Sequence, residues 1–254
     1  MSNQVIMAAG CMLHQLPKLL DHFGAIDQAR IRLLFGPSGS LRAKIDNGES
    51  CSLFISAISA HTDALVKPGK LLEASVLGLN PTVLVCHRDL EITTETILQY
   101  LSNPHWALGV STTGLDPDAY EIEILKKVSK TSDSNYQQLI ARTRLITGGR
   151  ETPNAPTGRN QYGWIMETQD LDLLLTFHSN AIEAVADNPD LKLIQVPPSI
   201  GVTGHFGIGI SIEASTEIQE FYRWILSEDG QHILENQGFV PLRDNHSTAP
   251  AQGQ

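Results

Sequence analysis

Two short turns made of small residues constrain this chain most. The first, Ala8-Ala9-Gly10-Cys11, follows the apolar run Val5-Ile6-Met7. The second, Gly36-Pro37-Ser38-Gly39-Ser40, follows Ile31-Arg32-Leu33-Leu34-Phe35. Helical spacing resumes after each: Met12, Leu16, Leu19 and Phe23 after the first, Leu41 and Ile45 after the second. Both turns therefore join a strand to a helix. A helix start presents unpaired N–H groups and a partial positive charge, which suits an anion. Glycine lets an oxyanion approach the backbone, and serine adds a hydroxyl donor. Every α/β protein has strand–helix turns, but two of this composition so close together point to one ligand held between helix ends.

The rest of the chain keeps the alternation. Apolar runs predict strands at 53–55, 82–86, 106–110, 173–177, 191–196 and 207–212. The last alternates Gly or Ser with Ile, as a strand packed closely on one face would. Spacing predicts helices at 120–128, 136–145 and 161–167 and a helical region over 218–233. Gly24 and the Asn47-Gly48 pair read as helix stops, and Asn80-Pro81 as a breaker. Strands alternating with helices imply an α/β architecture with a mostly parallel sheet. The polar tail over 245–254 reads as disordered.

Charge removes several functions. The formal net charge is −10, from 18 Lys and Arg against 28 Asp and Glu. Nucleic acid and anionic membrane both require a basic patch, so neither is expected as a partner. A small anion remains open, because backbone dipoles hold one without a lysine. No apolar run is long enough to span a bilayer. The start, Met1-Ser2-Asn3-Gln4, lacks the basic and apolar regions of a secretory leader. The expectation is a periplasmic chain with its leader removed, with a cytoplasmic chain as the alternative. Three cysteines, Cys11, Cys51 and Cys86, form neither a disulfide framework nor a metal pattern, and read as buried free thiols.

A long Gly- and Pro-rich loop over 147–160 departs from the alternation. Loops of that length inside a compact domain are commonly functional or disordered. This one ends in Arg159-Asn160, directly before a helical run, which would bring an arginine, an asparagine and a helix start to one point. The plainer alternative is a solvent loop in which Asn160 caps the helix. No nucleophile elbow, Walker loop or H-E-x-x-H motif occurs, and no two of the nine histidines stand at i,i+3 or i,i+4. His178 and His205 lie near predicted cleft strands, but separate core or surface histidines account for them without a metal. No catalytic residue, metal site or cofactor is expected.

Several phrases together carry a resemblance. Phe35-Gly36-Pro37-Ser38-Gly39-Ser40-Leu41 is followed by Lys44-Ile45, Gly48 and Leu53-Phe54-Ile55-Ser56-Ala57. Further on come Pro68-Gly69-Lys70, Leu79-Asn80-Pro81-Thr82-Val83-Leu84-Val85 and Ser111-Thr112-Thr113-Gly114-Leu115-Asp116-Pro117. Then follow Leu145-Ile146-Thr147-Gly148-Gly149, Gly158-Arg159-Asn160-Gln161-Tyr162-Gly163-Trp164, Leu175-Thr176-Phe177-His178-Ser179-Asn180-Ala181, and the run from Ile225 to Leu234 with Gly238-Phe239. In this order and spacing, across nearly the whole chain, they resemble the periplasmic molybdate-binding proteins of ABC transporters.

The resemblance implies a two-lobed α/β fold of the type II periplasmic-binding-protein kind, with two crossing hinge strands and a ligand cleft between lobes. One lobe would take residues 1–81 and 202–254, the other 82–201. The implied function is extracytoplasmic binding of molybdate, tungstate or a similar oxyanion, without catalysis. The implied partners are that small anion and a membrane permease, with the chain itself a monomer. Carried over residue by residue, the ligand contacts are Gly10, Cys11, Ser38, Gly39 and Ser40 from the first lobe. The second lobe would supply Asp116, Pro117, Arg159, Asn160, Phe177, His178 and Ser179.

Three departures bear on specificity. Cys11 stands where that family has a serine, and a thiol is a much weaker donor. Phe177 stands where it has a tyrosine whose hydroxyl reaches the anion. The loop after Asp116-Pro117 is about one residue short against the family pattern, judged by the family resemblance and the tolerance of loops to length change. Arg159 is the expected compensator, because a guanidinium offers paired donors to two oxygens. The alternatives are a cytoplasmic ligand-sensing module of the same fold, or a binding protein for a different small anion or organic ligand.

Overall fold

β1 (Gln4–Ala9) explains how the first half is organised. Five of its six residues are buried, as in an interior strand covered on both faces. It pairs in parallel with β2 (Ile31–Gly36) on one side and β3 (Leu53–Ser56) on the other. The computed structural model describes residues 4–111, 120–132, 134–147 and 154–241. The polar tail over 245–254 lies outside the described residues.

Between β1 and β2 runs α1 (Gln15–Phe23), with Leu16, Leu19 and Leu20 buried and Gly24 ending it in the left-handed region at φ 67°. α2 (Ser38–Asp46) follows β2, and α3 (Ser59–Val66) follows β3. β4 (Glu73–His87) is a fifteen-residue strand that changes partners along its length. Residues 73–81 pair antiparallel with β9 (Thr203–Ile210), which in turn pairs antiparallel with β3. Residues 82–87 pair antiparallel with β7 (Leu173–Phe177) and β8 (Leu191–Gln195).

The second sheet grows outward from β7. α4 (Ile97–Ser102) precedes β5 (Leu108–Ser111), which pairs in parallel with β7 and with β6 (Arg144–Thr147). α5 (Tyr120–Ser132) and α6 (Tyr136–Arg142) connect β5 to β6. α7 (Gln161–Thr168) leads to β7, and α8 (His178–Asp187) follows it. After β9 come α9 (Thr216–Leu226) and α10 (Glu228–Asn236), which pack back on the first sheet. Phe23 of α1 meets Phe221 and Trp224 of α9 at centroid distances of 5.6 and 5.4 Å.

The α/β class stands, but the sheet is mixed rather than mostly parallel. The parallel pairs are β1–β2, β1–β3, β5–β6 and β5–β7; every pair that involves β4 or β9 is antiparallel. Asn80-Pro81 does not break the strand. Proline is tolerated there because β4 hands over from one sheet to the other at that point, so the missing N–H costs little. The predicted helix over 136–145 stops at Arg142, and the next residues form β6. The Gly and Ile alternation does mark close packing: a Cβ at Gly207 would lie 2.3 Å from Thr62 Oγ1, and one at Gly209 2.5 Å from Leu71 Cδ1. That strand runs over 203–210 rather than 207–212.

Candidate functional site

The carboxyl ends of β1, β2 and β3 lie side by side, because Ala9 pairs with Gly36 and Ala8 with Ile55. Three turns therefore emerge at one edge, the edge at which open α/β sheets bind ligands. Gly10 is exposed and Cys11 half-buried in a short turn over 10–12 after β1. Gly10 borders the second turn, since a Cβ there would stand 3.9 Å from the Gly36 carbonyl. Ser38 is the first residue of α2, and no side chain caps that helix. The amides of Ser38, Gly39 and Ser40 thus open a helix whose donors its own sequence leaves uncapped.

Ser38 is buried, and its Oγ accepts from the Ala57 amide at 3.0 Å. The bond ties the second turn to the third. An oxygen that already accepts is polarised to donate, so the Ser38 hydroxyl is the stronger donor for it. Among the described residues no acceptor takes its hydrogen. Ala57 is a candidate the sequence does not single out, because what it gives the turn is a backbone amide. The signal was a third strand–turn–helix junction at Ser56-Ala57.

From the second sheet, Tyr120 reaches the same place. It opens α5, and its hydroxyl donates to the Ala57 carbonyl at 3.0 Å and accepts from the His205 amide at 3.3 Å. Its ring meets Phe177 edge-on at 5.5 Å, Phe177 meets Phe206 at 5.2 Å, and Phe206 meets Phe239 at 5.1 Å. The Phe177 ring lies over Gly204, where a Cβ would come within 2.7 Å of it. Phe177 has no hydroxyl to offer, and that of its neighbour Tyr120 is engaged between Ala57 and His205. Tyr120 too is not singled out by the sequence, since only the tertiary fold brings it beside Ala57, 63 residues away.

Two other expected contacts, directly after Phe177, have their side chains engaged within the protein. Ser179 is buried, with its Oγ accepting from Asn80 Nδ2 at 2.8 Å and its amide donating to Asn80 Oδ1 at 3.3 Å. His178 Nδ1 lies 2.9 Å from the Gly238 carbonyl. Both side chains thus engage the crossing strand and the segment after α10. Asp116 and Pro117 lie outside the described residues, as do 148–153 of the long loop.

The sequence leaves Arg159 two roles, a guanidinium offered to a ligand or a loop residue beside a capping Asn160, and here the guanidinium faces carboxylates of its own chain. Arg159 Nε lies 3.2 and 3.1 Å from the two Asp187 carboxylate oxygens, and its Nη2 lies 2.7 Å from Glu167 Oε2. Hydrogen bonds from Glu167 first, then Asp187, hold the guanidinium more firmly protonated. Asn160 is the cap of α7, its Oδ1 accepting from the amides of Tyr162 at 2.9 Å and Gly163 at 3.1 Å. The Asn160 amide itself donates to Asp187 Oδ1 at 3.0 Å. An anion does sit at this helix start, but it is the protein's own carboxylate. Asp187 ends α8, about 15 Å along the helix from Phe177 at a rise of 1.5 Å per residue. The structure does not bring Arg159 and Asn160 together with Phe177.

Among the described residues no group of three His, Cys, Asp or Glu could hold a metal, and no helix is long and apolar enough to cross a membrane. Cys51 and Cys86 are buried, and burial pushes their thiols up to about 12 and about 11. Cys11 differs from the expectation of three buried thiols, being partly open at the site.

The family model for bacterial extracellular solute-binding proteins matches residues 5–240. The chain belongs to that family. Its work is binding, not catalysis. A protein of Pasteurella multocida, itself uncharacterized, is 26% identical over 87% of this chain and 90% of its own length. The periplasmic molybdate-binding protein of Azotobacter vinelandii superposes with a TM-score of 0.72 at 17% identity, covering 94% of this chain and 100% of that one. A sulfate-binding protein of Mycobacterium tuberculosis superposes at 0.68 and 15% identity, covering 96% and 88%. At such identities the likeness is one of fold: this solute-binding protein has the type II periplasmic-binding-protein architecture.

Proposed function

We propose that this solute-binding protein takes a tetrahedral oxyanion of the molybdate and tungstate class and delivers it to the membrane permease of an ABC importer. It does so outside the cytoplasm, as a monomer. Residues 1–81 with 202–254 form one lobe and 82–201 the other, with the ligand between them and hinge closure burying it. The change of β4 partners between Pro81 and Thr82 supports this division.

The observation that carries the reading is the convergence of Ser38, from one sheet, and Tyr120, from the other, on Ala57. Cys11, Ser38 and the amides of Gly39 and Ser40 are the first-lobe contacts, and the second-lobe contacts are assigned to the loop of Asp116 and Pro117, beside which Tyr120, its hydroxyl hydrogen given to the Ala57 carbonyl, braces the two lobes. All are neutral donors or backbone groups. A chain of net charge −10 can hold a dianion this way because the charge is spread over many hydrogen bonds and an uncapped helix start.

A second reading is a different small anion, sulfate above all. It is favoured by the missing hydroxyls at Cys11 and Phe177, which remove two donors from a molybdate-type seat. A thermal-shift panel of molybdate, tungstate, sulfate, phosphate and small carboxylates ranks the readings. A ligand at a thousand times its dissociation constant stabilises the bound form by ~4 kcal/mol. Molybdate and tungstate giving the largest shifts supports the first reading. A larger shift with sulfate replaces it with the second, and no shift with any inorganic oxyanion overturns both.

A further inference from the structure

Behind the candidate site, α1 and α8 meet along a polar seam. Lys18 on α1 pairs with Glu183 on α8. Gln15 Nε2 donates to the Ser179 carbonyl at 3.4 Å, and Ser179 is held by Asn80 at the handover of β4. His14, immediately before α1, lies against the same seam. Its Nε2 is buried and has no hydrogen-bond partner among the described residues, and neither has Gln15 Oε1. The two helices begin just beyond the Cys11 turn and Phe177, so any opening of the cleft that separates them must part this seam.

We propose that the α1–α8 seam is a proton-sensitive clasp, made while His14 is neutral and released when His14 is protonated. This rests on the two-lobed reading above. A neutral imidazole tolerates an unpartnered Nε2, but a protonated one would bury a charged N–H with no acceptor. Lys18 pairs with Glu183, so it takes up the carboxylate that acts most on His14 and adds a like charge. Asp187, the other carboxylate that acts on the ring, is held by Arg159. His178, on the first turn of α8, is engaged with Gly238.

The electrostatics agree in sign. Burial is the largest influence on His14 and lowers its value below the ordinary 6.5, against the pull of Glu183. A lowered histidine favours the closed form fully above the ordinary value. That advantage is lost as pH falls through the closed-form value. Each unit by which closing itself lowers the His14 value corresponds to a tenfold change in the closing equilibrium.

Small-angle X-ray scattering of the ligand-free protein between pH 8 and pH 5 tests the clasp without needing a ligand. The expected result is an increase in radius of gyration as pH falls, absent in His14→Gln. NMR titration of the His14 ring should give the same midpoint as the scattering change. A pH-invariant wild type alongside an expanded Lys18→Ala/Glu183→Ala double variant overturns the clasp and leaves the two lobes standing. No expansion in either overturns the clasp together with the hinge. A pH response that survives in His14→Gln, or a His14 midpoint that differs from the scattering midpoint, assigns the response to another group and overturns the proposal.

Discussion

The starts of α2 and α7 read alike in sequence and do opposite things in the fold. Each follows a Gly- and Pro-containing stretch with polar residues, Ser38-Gly39-Ser40 in one and Arg159-Asn160 in the other. At α7, Asn160 caps the helix and the Asp187 carboxylate accepts from the Asn160 amide. The contact is tight: a Cβ at Gly163 would lie 2.8 Å from Asp187 Oδ2 and 2.9 Å from the Ala184 carbonyl. That helix start is filled by its own chain. At α2 the preceding residue is Pro37, which cannot cap, and Ser38 turns its oxygen to Ala57 instead. A helix start becomes a ligand seat only where the protein has not already supplied the oxygen.

The largest effect on binding therefore belongs to α2. Ser38→Ala removes the proposed donor to the ligand and leaves the Ala57 amide without its acceptor. It should weaken the best oxyanion by roughly tenfold, the size of one net hydrogen bond. Isothermal titration with the strongest ligand of the thermal-shift panel checks this. Unchanged affinity would place the ligand elsewhere and break the contrast at its first term.

Asn160→Ala should behave in the reverse way. Loss of the α7 cap should cost about 1 kcal/mol of stability, read by urea unfolding, while oxyanion affinity stays at the wild-type value. If affinity falls as far as in Ser38→Ala, the two helix starts belong to one site, and α7 is not the self-filled element its geometry describes.

The same contrast explains how much was legible beforehand. The turns after β1 and β2, and Ser38 as the opening residue of α2, follow from local pattern: an apolar run, small residues, then helical spacing. β7 was legible over its full length because Leu173 to Phe177 is apolar but for Thr176, itself a good strand former. β4 was not, because Asn80-Pro81 carries the local signature of a breaker and its meaning comes from a change of partner strands. Ala57 was hidden because an alanine side chain says nothing of its amide. The ion pair of Arg159 was not legible because its partner Asp187 lies 28 residues further along the chain. A sequence places an arginine beside a helix start without stating which carboxylate the fold will set against it.

Arg159→Ala should have the smallest effect, and it sharpens the contrast most. A free guanidinium at the cleft would be the main cation for a bound dianion, and its loss would abolish binding. A guanidinium already holding Asp187 and Glu167 at 2.7–3.2 Å has its donors directed at carboxylates. It also stands at the far end of α8 from Phe177. The expected outcome is oxyanion affinity within about twofold of wild type, the usual range for a surface substitution away from a site. The stability change should be smaller than in Asn160→Ala, because the Glu167 pair is exposed and contributes little, and the less exposed Asp187 keeps the Asn160 amide as a donor. Titration of wild type and variant with molybdate and sulfate at low and moderate salt decides it. Abolished binding would mean that the ligand draws Arg159 away from both carboxylates, and the start of α7 would then be a second anion seat rather than an occupied one.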